Sequence, residues 1–287
     1  MQQDRKVIIK KKPMLRGYDN ENIFLSLSKK GKNNWWRFLL FIASLIILPV
    51  IASIIIETIE LSNFRNKESE FIWNIITEGI AFSIVLMGII LAIRIIHKRS
   101  FFTLNGVRTF RAAEFFEGAI IWGVLIIIGS LFNQQEQWKY FFYNGLNNSY
   151  TFIIPIIILA IAIQSYTEEV VFRGYLLQSL ALRIKNINLL ILICSSLFGI
   201  LHAGDGFAAI IATTFFGCLN CYTVIKRNNL AFVTGVHSIN NILFVYILGD
   251  RNPAENDIFL KFDFEEYSIL ISQFILLYIY VRYKDSI

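Results

Sequence analysis

Long apolar stretches alternate with short polar ones along the chain, and this alternation organises everything else in it. After a polar, basic opening, apolar runs cover about Phe38–Ile56, Phe71–Ile96, Glu114–Phe132 and Tyr150–Tyr166. Four more follow at about Leu189–Ala203, Phe207–Ile225, Leu230–Leu248 and Ser268–Tyr283. Most approach the roughly 20 residues that an α-helix needs to cross a bilayer. None shows the period-two alternation of a barrel strand. The pattern predicts an all-α, polytopic helical membrane protein with about eight transmembrane helices. The first run starts too far into the chain to be a cleaved signal, and it reads as a retained helix.

The distribution of charge orients these helices. Alternate polar segments, counted from the N-terminal one, hold 22 of the 27 Lys and Arg residues. By the positive-inside rule both termini are expected in the cytoplasm. The segment after the seventh run is acidic, with Asp250, Glu255, Asp257, Asp263, Glu265 and Glu266, and is expected outside. The chain therefore divides into a basic cytoplasmic tail (1–35), N-terminal transmembrane helices (36–149), a second group of helices (150–248), and an acidic outer loop with the last transmembrane helix (249–287). The polar, aromatic stretch Gln134–Ser149 is expected at the outer interface.

Composition narrows the function classes. Hydrophobic residues make up 55% and charged residues 17%, and the mean hydropathy is +0.56. These values exclude a soluble enzyme, a disordered protein and a secreted disulfide scaffold. The net charge of +6 sits beside apolar runs, so it reads as topology and not as a nucleic-acid surface. The basic tail could touch anionic headgroups, but a plain topology anchor is the simpler reading. Cys194, Cys218 and Cys221 all fall in apolar runs. No second pair accompanies the CxxC of Cys218 and Cys221, so these residues read as small buried hydrophobes and not as a metal or redox site.

Ionisable residues inside spans are costly and mark function. Here they concentrate in three motifs of the second half: Glu168-Glu169-Val170-Val171-Phe172-Arg173, Phe198-Gly199-Ile200-Leu201-His202 and His237-Ser238-Ile239-Asn240-Asn241. On a continuing helix Glu169 and Arg173 share a face and can pair, while Glu168 points about 100° away. His237 and Asn241 likewise share a face. The third histidine, His97, falls in the basic loop Ile96-His97-Lys98-Arg99. A Glu and a His can together activate a water. A second His and an Asn can donate to a developing oxyanion. The same groups offer an alternative, a zinc ion held by Glu168, His202 and His237, although the HExxH helix of zinc proteases is missing. Counting from the cytoplasmic helix ends puts Glu168 and His202 about 20 Å deep, His237 about 10 Å and Asn241 about 16 Å.

The ordered set EExxxR, FxxxH, HxxxN resembles the CPBP family of intramembrane proteases, which includes CAAX proteases and bacteriocin-processing enzymes and is also called the Abi family. Arg173-Gly174-Tyr175-Leu176 extends the likeness. The resemblance implies that residues 150–248, helices four to seven, form a protease core with its catalytic residues inside the bilayer. By that similarity Glu168 would polarise water with help from His202, His237 and Asn241 would form the oxyanion site, and the Glu169–Arg173 pair would position Glu168. Phe198 belongs to the supporting motif. The preferred mechanism needs no cofactor, with Zn2+ as the alternative.

The function expected is thus an intramembrane endopeptidase acting on a membrane-tethered protein or peptide, such as a CAAX-like C-terminus or a bacteriocin leader. Ile-, Asn- and Lys-rich usage suggests a bacterial cell membrane. Two other readings compete: a non-catalytic peptide-binding scaffold or immunity protein, and a proton-coupled transporter. The four prolines, Pro13, Pro49, Pro155 and Pro253, do not pair across two halves, which counts against a transporter built of repeats.

Overall fold

Each of the eight apolar runs contains a helix. The computed structural model describes residues 22–58, 67–107, 109–133, 135–140, 154–244 and 264–284. The long helices are α1 (Trp35–Thr58), α2 (Lys67–Ile96), α3 (Ala112–Asn133) and α4 (Ile154–Leu180), then α5 (Ile187–Ile200), α6 (Phe207–Arg227), α7 (Ala231–Leu243) and α8 (Phe264–Lys284). Among the described residues there is no strand, only an isolated bridge between Gly106 and Asn229. Five helices, α1, α2, α3, α4 and α6, are long and apolar enough to cross a bilayer. At 14 and 13 residues, α5 and α7 are shorter than such a crossing. The apolar helices make this an integral membrane protein. The acids from Asp250 to Asp263, and most of the stretch from Gln134 to Ser149, lie outside the described residues.

Contacts between helix ends fix the up-and-down order. Lys32 donates its backbone N–H to the carbonyl of His97, and Arg37 at the start of α1 donates to the carbonyl of Ile96 at the end of α2. Glu117, near the start of α3, accepts from Arg227 at the end of α6 (2.8 Å) and pairs with Lys284 at the end of α8 (3.0 Å). The ends assigned to one side by the charge pattern therefore meet on one face.

Helix α4 is not a uniform α-helix. It is α-helical over Ile154–Glu169, π-helical over Val170–Leu177 and α-helical again over Gln178–Leu180. The wider turn begins directly after the two glutamates. Single-turn π segments are common at functional sites.

The tightest crossing is that of α3 with α7. A Cβ on Gly235 would stand 1.9 Å from the carbonyl oxygen of Phe115, and one on Gly118 would stand 2.2 Å from that of Phe232. Small residues at both positions let the two backbones touch, as in other membrane helix pairs. Two further interfaces complete the core, α5 on α6 and α2 on both α1 and α4.

One difference from the sequence reading concerns the basic end, and one residue there is more buried than its loop suggests. Residues 22–34 had been grouped with the tail, but Phe24, Leu25 and Leu27 are buried. Asn22 caps the short helix Ile23–Ser26 and donates to the carbonyl of Ile225, and Phe24 N donates to Asn228 Oδ1. The amphipathic Ile23-Phe24-Leu25 stretch gains an apolar seat under α6 that a solvated tail would forgo. His97 lies in the loop after α2 as expected, yet it is packed inside the protein. It is 2% exposed, with Nδ1 3.0 Å from the carbonyl of Lys32 and Nε2 3.0 Å from the hydroxyl of Tyr175 on α4. Burial is the main cause that holds its imidazole below the ordinary 6.5, with Arg99 and Arg37 adding to it against the Lys32 carbonyl. Burial likewise brings the neighbouring Arg99 down to about 10, and its guanidinium donates to Gln178 at the foot of α4.

Candidate active site

Glu168 and Glu169 end the α-helical part of α4, and Arg173 follows one turn later in the π segment. Arg173 Nη1 lies 3.0 Å from Glu169 Oε1, and both side chains are fully buried. The pairing expected from four-residue spacing therefore forms inside the bilayer-crossing part of the chain, where each charge alone would be expensive. Phe198 on α5 covers the guanidinium, with Arg173 Cζ 4.4 Å from its ring centre.

Helix α7 brings a third partner to the same oxygen. His237 Nδ1 is 2.8 Å from Glu169 Oε1, and His237 Nε2 is 3.7 Å from Glu168 Oε2. One imidazole thus stands between two carboxylates of one helix. With the Nδ1 proton donated to Glu169, Nε2 is the ring atom that faces Glu168. Phe198 and Phe216 hold the ring edge-on, at centroid distances of 6.0 and 5.6 Å.

Helix α7 starts at Ala231, as the run from about Leu230 predicts, and its contacts set His237 beside the glutamates although helix counting puts it about 10 Å shallower. Helix α7 begins inside the protein, with residues 229–238 all buried. Asn228 ends α6 in the left-handed conformation (φ 57°). The Leu230 N–H then donates to the carbonyl of Asn105, from the short helix Phe102–Asn105, and Asn229 Oδ1 caps Ala231. This buried start lets His237, two turns on, meet the glutamates of α4.

The remaining motif residues are less directly joined. His202 follows the end of α5, and its Nδ1 bonds the carbonyl of Phe198 in its own turn (3.0 Å), which leaves Nε2 as its free ring nitrogen. Its ring packs 4.8 Å from that of Phe198, which also meets Arg173 and His237, and among the described residues it makes no hydrogen bond with Glu168. Asn241 lies one turn beyond His237. Its Oδ1 accepts from Asn240, whose own Oδ1 accepts from Trp122. That leaves the Asn241 NH2 as the end of its amide able to donate.

Two polar side chains outside the motifs join the group. Asn220 on α6 is buried and donates to Glu169 Oε1 at 3.4 Å. Its sequence signal is an amide amid the apolar Gly217-Cys218-Leu219-Asn220-Cys221. Glu78 on α2 accepts from Gln164, one turn before Glu168, at 3.1 Å, and it lies within electrostatic range of Glu168. The signal that could have found it is a single acid within a long apolar run.

The network is not fully satisfied. Glu169 Oε2 and Arg173 Nε and Nη2 are buried without a hydrogen-bond partner. The arrangement offers a carboxylate beside an imidazole for proton transfer, and an amide one turn away. The fit to a metal is poor: among the described residues no three His, Cys, Asp or Glu side chains converge as a coordination sphere. Glu168, His202 and His237 therefore do not form a zinc site in this structure.

Comparison with known proteins places the motif region in a family context. The family model for type II CAAX prenyl endopeptidases, Rce1-like, matches residues 149–243, a segment that contains all three motifs. The likeness to the CPBP family read from the motifs is thus borne out, and at family level it supports a CAAX-type intramembrane protease. The chain is also similar to the uncharacterized protein YyaK of Bacillus subtilis (strain 168). They are 26% identical over 247 residues, which cover 78% of this chain and 82% of that one. No solved structure matches the chain.

Proposed function

We propose that the chain is an intramembrane endopeptidase that hydrolyses a peptide bond of a membrane-associated protein or peptide with a water activated by Glu168. Substrates of the CAAX-like C-terminal kind or a peptide leader suit a site of this composition. The observation that carries the reading is the Glu169–His237–Glu168 array, in which one imidazole lies 2.8 and 3.7 Å from two carboxylates within a membrane-crossing helix bundle.

In this mechanism Glu168 takes a proton from water as its oxygen adds to the scissile carbonyl carbon. His202, its Nδ1 held by the Phe198 carbonyl, assists through Nε2. Charge develops on the carbonyl oxygen, and it is stabilised by the Asn241 NH2 together with His237, which in this step carries a proton on each ring nitrogen, Nδ1–H on Glu169 and Nε2–H toward that oxygen. The C–N bond then breaks as the proton held by Glu168 passes to the leaving amine. Glu169 and Arg173 keep their partners in place. A bacterial cell membrane with both termini cytoplasmic is the setting that the charge pattern favours.

The test is purified protein in lipid nanodiscs with a panel of membrane-tethered peptides, analysed for cleavage products by mass spectrometry. Wild type should yield defined fragments and Glu168→Gln should yield none while still inserting normally. Fragments of equal amount from Glu168→Gln, or none from wild type with any peptide, would sink the proposal.

A further inference from the structure

A second feature lies on the opposite side of α6 from Asn220. Between α5, α6 and α8 runs a groove of about 510 Å3. That is the size of a small-molecule site. Its walls are apolar over their length, with Ile191 from α5, Phe215 from α6, and Ile271 and Ile275 from α8. One end differs. There Tyr222 and Tyr278 face each other at a ring distance of 5.2 Å, and Arg282 donates to the Tyr278 hydroxyl at 3.2 Å. Lys226 is at the same end, bonded to the carbonyl of Val281 at 2.6 Å. This end belongs to the face where Arg227 and Lys284 meet Glu117.

We propose that this groove holds one acyl chain of an anionic phospholipid, with the headgroup at the Tyr278–Arg282 end. The form of the groove matches a single-ended amphiphile. Its apolar trough suits hydrocarbon. Among the described residues, aromatic hydroxyls and cations gather at the Tyr278 end, as they do where helices meet anionic headgroups. The occupant also touches the back of the candidate site. Phe274 lines the groove and stacks on Trp122 (5.6 Å), and it lies 6.4 Å from Phe216, which packs at 5.6 Å on His237. Binding of the lipid does not depend on whether the chain is a protease.

Native mass spectrometry of delipidated protein tests this, with phosphatidylglycerol and phosphatidylcholine of equal chain length titrated separately. Phosphatidylglycerol should bind one to one, at least tenfold more tightly than phosphatidylcholine. Ala212→Trp, which fills the groove from α6, should abolish that binding, and Arg282→Gln should reduce it to the phosphatidylcholine level. A second measurement uses unaltered protein. Cys218 lines the groove and is partly exposed, whereas Cys194 and Cys221 are buried. Phosphatidylglycerol should slow its reaction with a bilayer-soluble maleimide at least fivefold. The proposal is overturned if Cys218 reacts at the same rate with either lipid, if Ala212→Trp binds like wild type, or if a farnesylated peptide occupies the groove and phosphatidylglycerol does not.

Discussion

His237 Nδ1 approaches Glu169 Oε1 to 2.8 Å, so the second glutamate of the pair holds an imidazole from α7 as well as the guanidinium of its own helix. The first glutamate is left as the carboxylate with the lighter load, 17% exposed at its side chain and within 3.7 Å of His237 Nε2. Two adjacent acids in different surroundings can take different roles. Substitution should separate them. Glu168→Gln should lower the cleavage rate at least about 100-fold, the low end of what a general base contributes, with insertion and thermal stability near wild type. Glu169→Gln should lower both.

Removing Arg173 leaves a buried carboxylate facing one neutral amide and one imidazole. Arg173→Ala should cost about 3–5 kcal/mol of stability, as for other broken buried pairs, and should show as reduced yield of folded protein in detergent. The double substitution Glu169→Gln with Arg173→Met should restore much of that yield, because no uncompensated charge remains. Yields as low in the double variant as in Arg173→Ala would count against the ion pair as the cause.

Asn220 donates to the same Glu169 oxygen that Arg173 and His237 contact. Asn220→Ala should cost about 1 kcal/mol, the usual net worth of one hydrogen bond. Asn220→Asp should cost clearly more, since it sets a second carboxylate against Glu169 in a buried site. Thermal unfolding of both variants in one detergent reads the order directly. The reverse order would show that the Asn220–Glu169 contact carries no weight.

The α3–α7 crossing leaves no room for a methyl group. Gly235→Ala should push the helices apart and destabilise the protein by about 1–3 kcal/mol, the range for overpacked cores. Because α7 carries His237 and Asn241, the cleavage rate should fall with it. Gly204→Ala is the control, since a Cβ there meets nothing within 4 Å. Its melting temperature and rate should match wild type.

Acid should weaken the basic end of the protein through His97. Its folded form holds the proton less tightly than the unfolded chain, whose imidazole titrates near 6.5. The unfolded state therefore binds more protons as the pH falls, and stability declines below about pH 6.5 while staying flat above it. Melting temperatures of wild type and His97→Gln between pH 5 and 8 check this. The slope below 6.5 should shrink in the variant.

Several of these features were legible in the amino-acid pattern and others were not. The eight apolar runs located eight helices because hydropathy integrates over many residues, so no single boundary matters. The Glu169–Arg173 pair followed from spacing on one helix, where geometry is local. The π turn from Val170 to Leu177 has no side-chain signature of its own, and the pair survives it. Glu78 escaped notice for the same reason that the runs were easy to find, because one acid hardly alters a long apolar average. Asn220 and the burial of His97 depend on which helices become neighbours. The meeting of His237 with the glutamates depends on how α7 packs against α4, which periodicity does not encode.

The foot of α4 rests on parts of the chain far upstream of it. Tyr175 holds His97, His97 holds Lys32, and Gln178 receives Arg99, while α7 needs Gly118 of α3 to sit where it does. The family-matched third of the chain is consequently no autonomous module. Excised as 149–243, it would lose the scaffolding that sets its motifs at one height. A graft of this domain into another protein must carry α1 to α3 along with it.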